Sequence, residues 1–364
     1  MIRCSQLLSR ILAGSWRRNP PRPDISPDHL VAALPSLAGS GAAALAWRCL
    51  RGSSLEGSAA FEELGQAARL QILQAAIHER GVALAFRAAR SKGAEPILLK
   101  GWAVARLYAE AWLRPAGDLD LLVRPDQRAA AEVALFSPSS IVLSVVDLKH
   151  KGFDELTPAE WEMLYERSEL AVLEAVPVRV LGAEDQFRFL CEHLWNHSAY
   201  RPVWLCDVAA TIESLPAEFD WDLCLRGGDR LTVNRVVSAL GVAQTLLGAE
   251  VGEMPHELRQ RAPPGWLLEE VLKQWEAPCT EHHLPRELMS ISLRHPAKLL
   301  PALSARWPDP IRAYVGTDTA FDENRRISKQ LKFFLSCAAQ FVLNDLFTSA
   351  IPATASMRLS DESE

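Results

Sequence analysis

The sequence lacks the features that mark several large classes of protein. Its seven cysteines are odd in number and scattered, without a C-x-x-C pair, which argues against a disulfide framework and against a zinc ribbon. No apolar run approaches the roughly 18–20 residues of a membrane span, and neither a P-loop nor a G-x-G-x-x-G motif is present. The sequence therefore predicts a chain of the reducing cytoplasm with no membrane partner.

Positive charge is also in short supply. The chain has 39 lysines and arginines against 45 aspartates and glutamates, for a formal net charge of −6. Proteins that hold long nucleic acids depend on lysine and arginine to displace the counterions of the phosphate backbone. This balance disfavours a long polynucleotide as a partner.

Apolar residues are plentiful, at 49% of the 364 residues, which is enough for two or three hydrophobic cores. Residues 1–94 carry helical spacing, so we expect a helical N-terminal region whose basic first residues form an ordinary helix rather than a targeting peptide. Ser26 is positioned to cap a helix. Two apolar stripes at helical spacing are Leu7, Leu8, Ile11 and Leu12, and Leu70, Leu73, Ala76 and Ile77.

The pattern changes at Glu95. PILLKG (96–101) and LDLLV (119–123) are short apolar runs bounded by glycine or proline, as in strands, and a helical pattern lies between them. QRAAAEVALF then predicts a helix, and SIVLSVVDLK (140–149) predicts a third strand, buried on both sides because both of its faces are apolar. Helical spacing returns from Thr157, which begins a capping box with Glu160.

These patterns divide the chain into four segments. Residues 1–94 form a helical region, and residues 95–156 form a core of strand, Lys-Gly turn, helix, D-x-D strand, helix and strand. Residues 157–350 form a helical C-terminal domain, with a helix near 325–347. Residues 351–364 are polar at their end and predict a disordered tail.

Two aspartates stand two residues apart in the second strand. Side chains at i and i+2 point to the same side, so we expect Asp118 and Asp120 to share one face. Asp147, at the end of the third apolar run, can leave the core for a cleft. Three such carboxylates suit two Mg²⁺ ions, or Mn²⁺ in their place, which together clamp the attacking and leaving oxygens of a displacement at phosphorus.

Candidate phosphate contacts precede these aspartates. Lys100 and Gly101 follow the first strand and open a helix, where backbone N–H groups and the helix dipole favour an anion. Gly101 also lets the backbone approach a ligand closely. Arg114, four residues before Asp118, offers a guanidinium to a polyphosphate. The predicted site comprises Lys100, Gly101, Arg114, Asp118, Asp120 and Asp147.

The stretch LLKGWAVARLYAEAWLRPAGDLDLLV (98–123) resembles a bacterial nucleotidyltransferase-like family with an LKG turn and an R-x-x-x-D-[IL]-D-L-L-V strand. That family lies within the DNA polymerase β-like nucleotidyltransferase superfamily. CEHLWNH, VWLCDVAATIE and FDWDLCLR extend the resemblance over most of the chain. The resemblance implies a small mixed sheet with helices on one face, two metal ions on the aspartates, and transfer of a nucleoside monophosphate to a hydroxyl with release of pyrophosphate.

The predicted fold class is therefore α+β, with a small mixed β-sheet nucleotidyltransferase core flanked by N-terminal and C-terminal helical regions. The predicted enzyme takes an NTP such as ATP and an unidentified hydroxyl acceptor on a small molecule or a protein. The alternative is a non-catalytic nucleotide-binding or interaction protein on the same fold. This alternative gains support because Lys100–Gly101–Trp102 stands where the superfamily usually has a Gly-Ser turn, and because Asp147 follows Asp120 at a shorter distance than is usual for the third carboxylate of the family.

Two histidines after the core leave three interpretations open. His193 and His197 are four residues apart and so share a helix face. They suit hydrogen-bonded structural roles, contact with the nucleotide or acceptor, or a zinc site completed by Cys191 and Cys206, as in a zinc hydrolase.

An aspartate and three tryptophans in the same region are also open. Asp207 lies within an apolar stripe, where it needs a partner such as Arg201 unless it faces the cleft. Trp195, Trp204 and Trp221 can stack on a nucleobase, but tryptophans at helical spacing among leucines favour a core role.

Overall fold

The computed structural model describes residues 2–136, 145–149, 156–252, 254–259, 262–276, 307–322 and 326–348. The chain divides into two compact units, Met1–Glu281 and His282–Glu364. The first unit contains the sheet and all of the predicted site residues.

Most of the first unit is helical. Its described helices are α1 (Cys4–Leu12), α2 (Pro27–Gly39), α3 (Ala43–Leu50), α4 (Ala59–Ser91), α5 (Trp102–Ala105), α6 (Arg128–Phe136), α7 (Pro158–Arg167), α8 (Ala183–Asn196), α9 (Pro202–Glu213), α10 (Trp221–Cys224), α11 (Arg230–Leu247), α12 (His256–Arg259) and α13 (Gly265–Glu276). Short 3₁₀ turns lie at Ala111–Leu113, Pro125–Gln127 and Arg226–Gly228. Among the helices described in either unit, none combines the length and apolarity needed to span a membrane.

The predicted helix starts are confirmed. Ser26 caps α2, since its hydroxyl accepts a hydrogen bond from the N–H of His29 at 3.3 Å. Thr157 and Glu160 form the predicted capping box at the start of α7. Helix α1 buries its predicted apolar stripe. Local side-chain chemistry is thus sufficient to place these helix ends.

In its middle, helix α4 does not bury the apolar stripe that the sequence predicts at Leu70, Leu73, Ala76 and Ile77. Leu70, Leu73 and Ile77 are 57%, 62% and 64% exposed. The buried side instead carries small residues such as Ala68 and Ala75, which allow neighbouring helices to approach closely. Around residues 68–77 the helix therefore packs through small side chains and leaves the leucines and the isoleucine exposed.

Five strands form one mixed sheet in the order β3-β2-β1-β5-β4. The strands are β1 (Ile97–Leu98), β2 (Leu119–Leu122), β3 (Val146–Lys149), β4 (Glu169–Leu173) and β5 (Val176–Val180). Strands β1 and β2 pair antiparallel, as do β4 and β5, whereas β2 pairs parallel with β3 and β1 with β5. The predicted α+β class with a small mixed sheet is confirmed.

Helices cover both faces of this sheet, although the resemblance implied helices on one face only. Leu119 and Leu121 of β2 pack into a cluster with α4 and α6. Leu122 lies on the opposite face, in a cluster with Trp161 of α7 and with Phe189 of α8 at its margin. We call this second side the α8 face. The alternation along β2 therefore sends Asp120, two residues before Leu122, to the α8 face.

Strands β4 and β5 lie in the part of the chain for which the sequence predicted helices. Val176, Val178 and Val180 are buried while Pro177 and Arg179 are more exposed. This is the period of two that a strand produces. The signal is five residues long and lies between two strong helical patterns, so helical periodicity over longer windows obscured it.

Strand β3 is an edge strand, so the prediction of a strand buried on both sides is wrong for the described residues 145–149. Val145 is 68% exposed and Leu148 is the buried member of β3. An edge position leaves one side of the backbone without a neighbouring strand among those described, and residues 140–144 lie outside the described ranges.

The second unit contains two described helices, α14 (Pro310–Gly316) and α15 (Arg326–Thr348). Asp309 caps α14 by accepting a hydrogen bond from the N–H of Arg312. Helix α15 confirms the helix predicted near 325–347. The disordered tail predicted at 351–364 lies outside the described residues.

Candidate active site

The sheet brings two of the three predicted carboxylates together. Strands β2 and β3 run parallel with Asp120 and Asp147 as register partners, so both side chains project from the α8 face. Asp120 is only 2% exposed, whereas the Asp147 side chain is 47% exposed. Asp118 is exposed and stands directly before β2. This end of the sheet is therefore lined by the adjacent carboxylates of Asp120 and Asp147 and by that of Asp118, which directly precedes β2.

Two lysines meet these carboxylates. Lys100 Nζ lies 3.1 Å from Asp120 Oδ2, and Lys149 Nζ lies 3.1 Å from Asp120 Oδ1. Lys149 also contacts Asp147. Burial lowers the pKa of Lys149, but its hydrogen bond to Asp147 and the charge of Asp120 outweigh that effect and raise it overall. Sequence reasoning missed Lys149, although its spacing of two from Asp147 places it on the same side of β3.

The donor chemistry of this site fits a divalent cation. Asp118, Asp120 and Asp147 offer only oxygens, which hard cations prefer. The Lys100 contact with Asp120 lacks hydrogen-bond geometry, and Asp120 Oδ2 is buried without a hydrogen-bond partner in the part of the chain that the structure describes. A buried carboxylate oxygen of this kind needs positive charge beside it, and here the Lys100 ammonium provides it.

The carboxylates do not converge on one point in this arrangement. Within the described ranges, no three His, Cys, Asp or Glu side chains come close enough together to hold a metal ion. Lys149 lies between Asp120 and Asp147 and contacts both. A cation shared by these two carboxylates therefore requires Lys149 to move aside.

Gly101 has a backbone conformation that favours glycine. Its φ of +69° is in the left-handed range, and a Cβ added there would lie 2.8 Å from Nε2 of His78. The N–H of Leu99 donates to the carbonyl oxygen of Asp120 at 3.0 Å, which ties this turn to β2. The helix that follows, α5, is one turn long, so the expected support from a helix dipole is slight.

Arg114 is not placed as the predicted phosphate contact. Its guanidinium is 8% exposed and forms a bidentate pair with Asp207, with Nε–Oδ1 and Nη2–Oδ2 distances of 2.9 Å. Its third nitrogen donates to the carbonyl oxygen of Pro115, and Tyr108 also donates to Asp207 at 2.7 Å. Asp207 thus has a buried arginine partner, as its sequence context required, but the partner is Arg114 rather than Arg201.

His78 is a member of the site that the sequence did not indicate. It is buried on α4 opposite Gly101, and its Nε2 has no hydrogen-bond partner among the described residues. Burial, together with the charge of Arg114, lowers its pKa to about 4, although the charges of Asp118 and Asp120 oppose this shift. A lone histidine in a 33-residue helix carries no pattern that could have identified it.

His193 also faces this site from helix α8. Burial lowers its pKa well below the usual range, and the positive charges of Lys100 and Lys149 contribute. Its ring centroid lies 4.6 Å from that of His197 and 4.8 Å from that of Trp204. The two histidines therefore share a face as predicted. Trp195, in contrast, is fully buried and donates to the carbonyl oxygen of Arg235, as a core residue.

The cysteines near these histidines do not support the zinc alternative. Cys191 and Cys206 are both fully buried, and burial raises the pKa of each thiol, whereas zinc binds the thiolate. Each cysteine in the described part of the chain is a free thiol.

A mixed sheet with a D-x-D strand is compatible with a protein of the nucleotidyltransferase class. The family model described as uncharacterised nucleotidyltransferase matches residues 33–138 and 142–248. These ranges cover more than half of the chain, and the chain belongs to this family. No curated protein and no solved structure matches it. Family membership supports nucleotide transfer as the coarse activity, with a nucleoside triphosphate as substrate.

Proposed function

We propose that the protein is a metal-dependent nucleotidyltransferase that moves a nucleoside monophosphate from an NTP to a hydroxyl of a small-molecule or protein acceptor and releases pyrophosphate. The observation that carries this proposal is the pairing of Asp120 with Asp147 across β2 and β3. Asp118 stands two residues before Asp120, and Lys100 contacts the carboxylate of Asp120. Negative ligands and a positive side chain thus stand at one end of the sheet, as a metal-bound triphosphate requires.

The three aspartates are the residues that would hold magnesium, or manganese in its place. When bound, such ions neutralise phosphate charge and lower the pKa of an acceptor hydroxyl. Asp118 is accessible for this role, and Asp120 Oδ2 lies 3.1 Å from Lys100 Nζ but has no hydrogen bond among the described residues. Asp147 becomes available when Lys149 releases it.

The reaction is a displacement at the α-phosphorus of the nucleotide. The acceptor oxygen forms a bond to this phosphorus, and the bond from phosphorus to the bridging oxygen of the β-phosphate breaks. Pyrophosphate leaves with the electron pair, and the hydroxyl proton passes to Asp147, the more exposed carboxylate of the register pair. Lys100 then stabilises the charge that develops on the phosphates.

Gly101 and Arg114 support this chemistry in different ways. Gly101 gives the turn a conformation in which the backbone can approach the phosphates without a side chain between them. Arg114 holds the segment that leads into Asp118 through its buried pair with Asp207, so it positions the site rather than touching the nucleotide. The free thiols of the described cysteines suit a reducing compartment, and we propose the cytoplasm.

The test is pyrophosphate release by the full chain with Mg²⁺ or Mn²⁺ and each of the four common NTPs, with candidate hydroxyl acceptors. Asp118→Asn should lower the rate at least about 100-fold, the scale on which losing one charge-stabilising group acts. Asp126→Asn is the matched control, because Asp126 is also an exposed aspartate but lies beyond the end of β2. Equal rates in wild type and Asp118→Asn would contradict the proposal.

The second candidate is a non-catalytic nucleotide-binding protein on the same fold. The position of Lys149, in contact with both Asp120 and Asp147, favours it because the ammonium takes the place between the carboxylates. Nucleotide binding without pyrophosphate release under every condition, in wild type and in Lys149→Met alike, would select this alternative.

A further inference from the structure

One face of helix α8 connects the carboxylate site to a group of aromatic rings. Gln186, Phe189 and His193 follow at three- and four-residue spacing, so they share that face. Gln186 Nε2 donates to the carbonyl oxygen of Leu99 at 2.9 Å, in the turn after β1. Phe189 packs against the cluster on the α8 face of the sheet. This helix face therefore runs along the side of the sheet that carries Asp120.

Four rings, which we call the ring cluster, lie at the far end of this helix face: His193, His197, Tyr200 and Trp204. The centroid distances are 4.6 Å between His193 and His197, and 4.8 Å between His193 and Trp204. Trp204 lies 5.0 Å from His197 and 4.8 Å from Tyr200. His197 is exposed, and the other three rings are partly exposed, so a flat ligand can reach the cluster.

Helix α9 is a second link between the ring cluster and the site, because it carries both Trp204 and Asp207. Trp204 stands three residues before Asp207 on α9, so the two side chains lie on neighbouring positions of one helix face. Asp207 holds Arg114, four residues before Asp118, in the buried bidentate pair. Two helices, each fixed to the core by a hydrogen bond or an ion pair, therefore carry the rings, and His193 is near enough to the site for the charges of Lys100 and Lys149 to act on it.

The ring cluster and the adjacent Arg201 each contain a buried polar atom without a hydrogen-bond partner among the described residues. These atoms are His193 Nε2 and Arg201 Nε. The guanidinium carbon of Arg201 lies 5.5 Å from the ring centroids of both Tyr200 and Trp204. Buried polar groups in this condition are costly unless a ligand or water satisfies them. Burial, with a contribution from the charges of Lys100 and Lys149, lowers the pKa of His193 and keeps it neutral, so its ring offers one donor and one acceptor.

We infer that the ring cluster is the nucleobase subsite: the base of the nucleoside triphosphate stacks on Trp204 and its neighbours, and His193 hydrogen-bonds to an edge of that base. The inference rests on the proposed function, which places the triphosphate at Lys100 and Asp120. A nucleoside triphosphate carries a flat heteroaromatic ring and a polyphosphate in one molecule, which matches rings beside a lysine and carboxylate site. Stacking on aromatic side chains tolerates any base, whereas hydrogen bonds to its edge select among bases.

The experiment compares two probes on the full chain with Mg²⁺: the common nucleoside triphosphates, and inorganic tripolyphosphate, which has no base. Dissociation constants are measured by calorimetry. Trp204→Leu should weaken nucleoside triphosphate binding by about 5- to 150-fold, the range for one stacked base, and leave tripolyphosphate binding unchanged. Lys100→Gln should weaken both probes.

His193→Phe is the second variant, because it keeps a ring and so the packing against Trp204. It should reduce the difference in affinity between the preferred nucleotide and the others, since the hydrogen bond to the base is lost. A purely structural histidine would lower the affinity for all nucleotides equally. Trp221→Leu is the matched control, because Trp221 is also partly exposed and contacts α8, but through Phe187.

The outcomes separate the inference from the proposed function. Unchanged nucleotide affinity in Trp204→Leu, together with weaker binding of both probes in Lys100→Gln, would overturn the nucleobase subsite and leave the proposed function intact. The same result with slower transfer to an aromatic acceptor would assign the rings to the acceptor instead and also overturn the inference. A wild-type chain that binds neither probe would overturn the proposed function and the inference together.

Discussion

At the scale of single residues, burial determines what Arg114 can do. Its distance of four residues from Asp118 is compatible with a phosphate contact, yet its guanidinium is matched in the interior by Asp207. Two parallel hydrogen bonds hold both side chains in one geometry. Because the pair is out of contact with water, each charge depends on the other for its stability.

Asp207→Asn is therefore expected to destabilise the fold by about 3–5 kcal/mol, since it leaves the Arg114 charge buried without a partner. The measurement is the free energy of unfolding by urea. Glu132→Gln is the control, because it removes one partner of the exposed pair with Arg128, and such a pair contributes less than about 0.5 kcal/mol. A similar small effect for both variants would show that Arg114 finds another counter-charge.

Gly101→Ala is expected to destabilise the protein more than Gly93→Ala. Both glycines have positive φ, +69° for Gly101 and +82° for Gly93. A Cβ at Gly101 would lie 2.8 Å from Nε2 of His78, whereas a Cβ at Gly93 would have no atom of the described residues within 4 Å. The left-handed conformation alone costs an alanine about 1–2 kcal/mol, so the excess at Gly101 reports the collision.

Urea denaturation of both variants, and of Gly101→Ala combined with His78→Ala, measures this excess. The excess loss in the free energy of unfolding should disappear in the double variant, because the imidazole that collides with the new Cβ is gone. Equal losses in the two single variants would contradict the close approach of His78 to the turn.

At the scale of elements, local chemistry predicted where several helices begin and the order of the first two strands, but it did not predict how the elements pack. The order from PILLKG to the D-x-D strand and the capping box at Thr157 rest on short-range signals, and the structure contains both. Strands β4 and β5 were missed because their pattern is short and lies between helical ones, but two other missed features depend on distant contacts. Arg114 and Asp207 are 93 residues apart, and the exposed stripe of α4 reflects neighbours that the local sequence does not specify.

The capping box of α7 leads to a prediction at this scale. Thr157→Ala removes the hydroxyl that accepts a hydrogen bond from the N–H of Glu160, and this loss should destabilise the first unit by about 0.5–2 kcal/mol. Faster amide hydrogen exchange at Glu160 and Trp161 would locate the effect. Thr245→Ala on α11 is the control: Thr245 is exposed and its hydroxyl bonds back to the carbonyl oxygen of Gly241, so alanine should be neutral or stabilising.

At the scale of the whole molecule, the net charge of −6 says little about the site. The fold brings Lys100 and Lys149 to the same carboxylate, so the site has local positive charge within an acidic chain. Burial is the main reason that His78 and His193 stay neutral; the charge of Arg114 adds to it at His78, and the charges of Lys100 and Lys149 add to it at His193. Both histidines therefore couple the global stability to pH in the same direction.

The free energy of unfolding should fall as the pH falls from about 6.5 to about 4. The unfolded chain takes up a proton at His78 near pH 6.5, whereas the folded chain does so only near its pKa of about 4. Between these values the unfolded state binds more protons, so acid favours unfolding, and below pH 4 the loss from this group is complete. His78 alone accounts for about 3 kcal/mol, and His193 adds to it with the same sign. In urea denaturation across this range, His78→Leu should show a shallower decline than wild type, and parallel curves would mean that His78 titrates at its ordinary value in the folded protein.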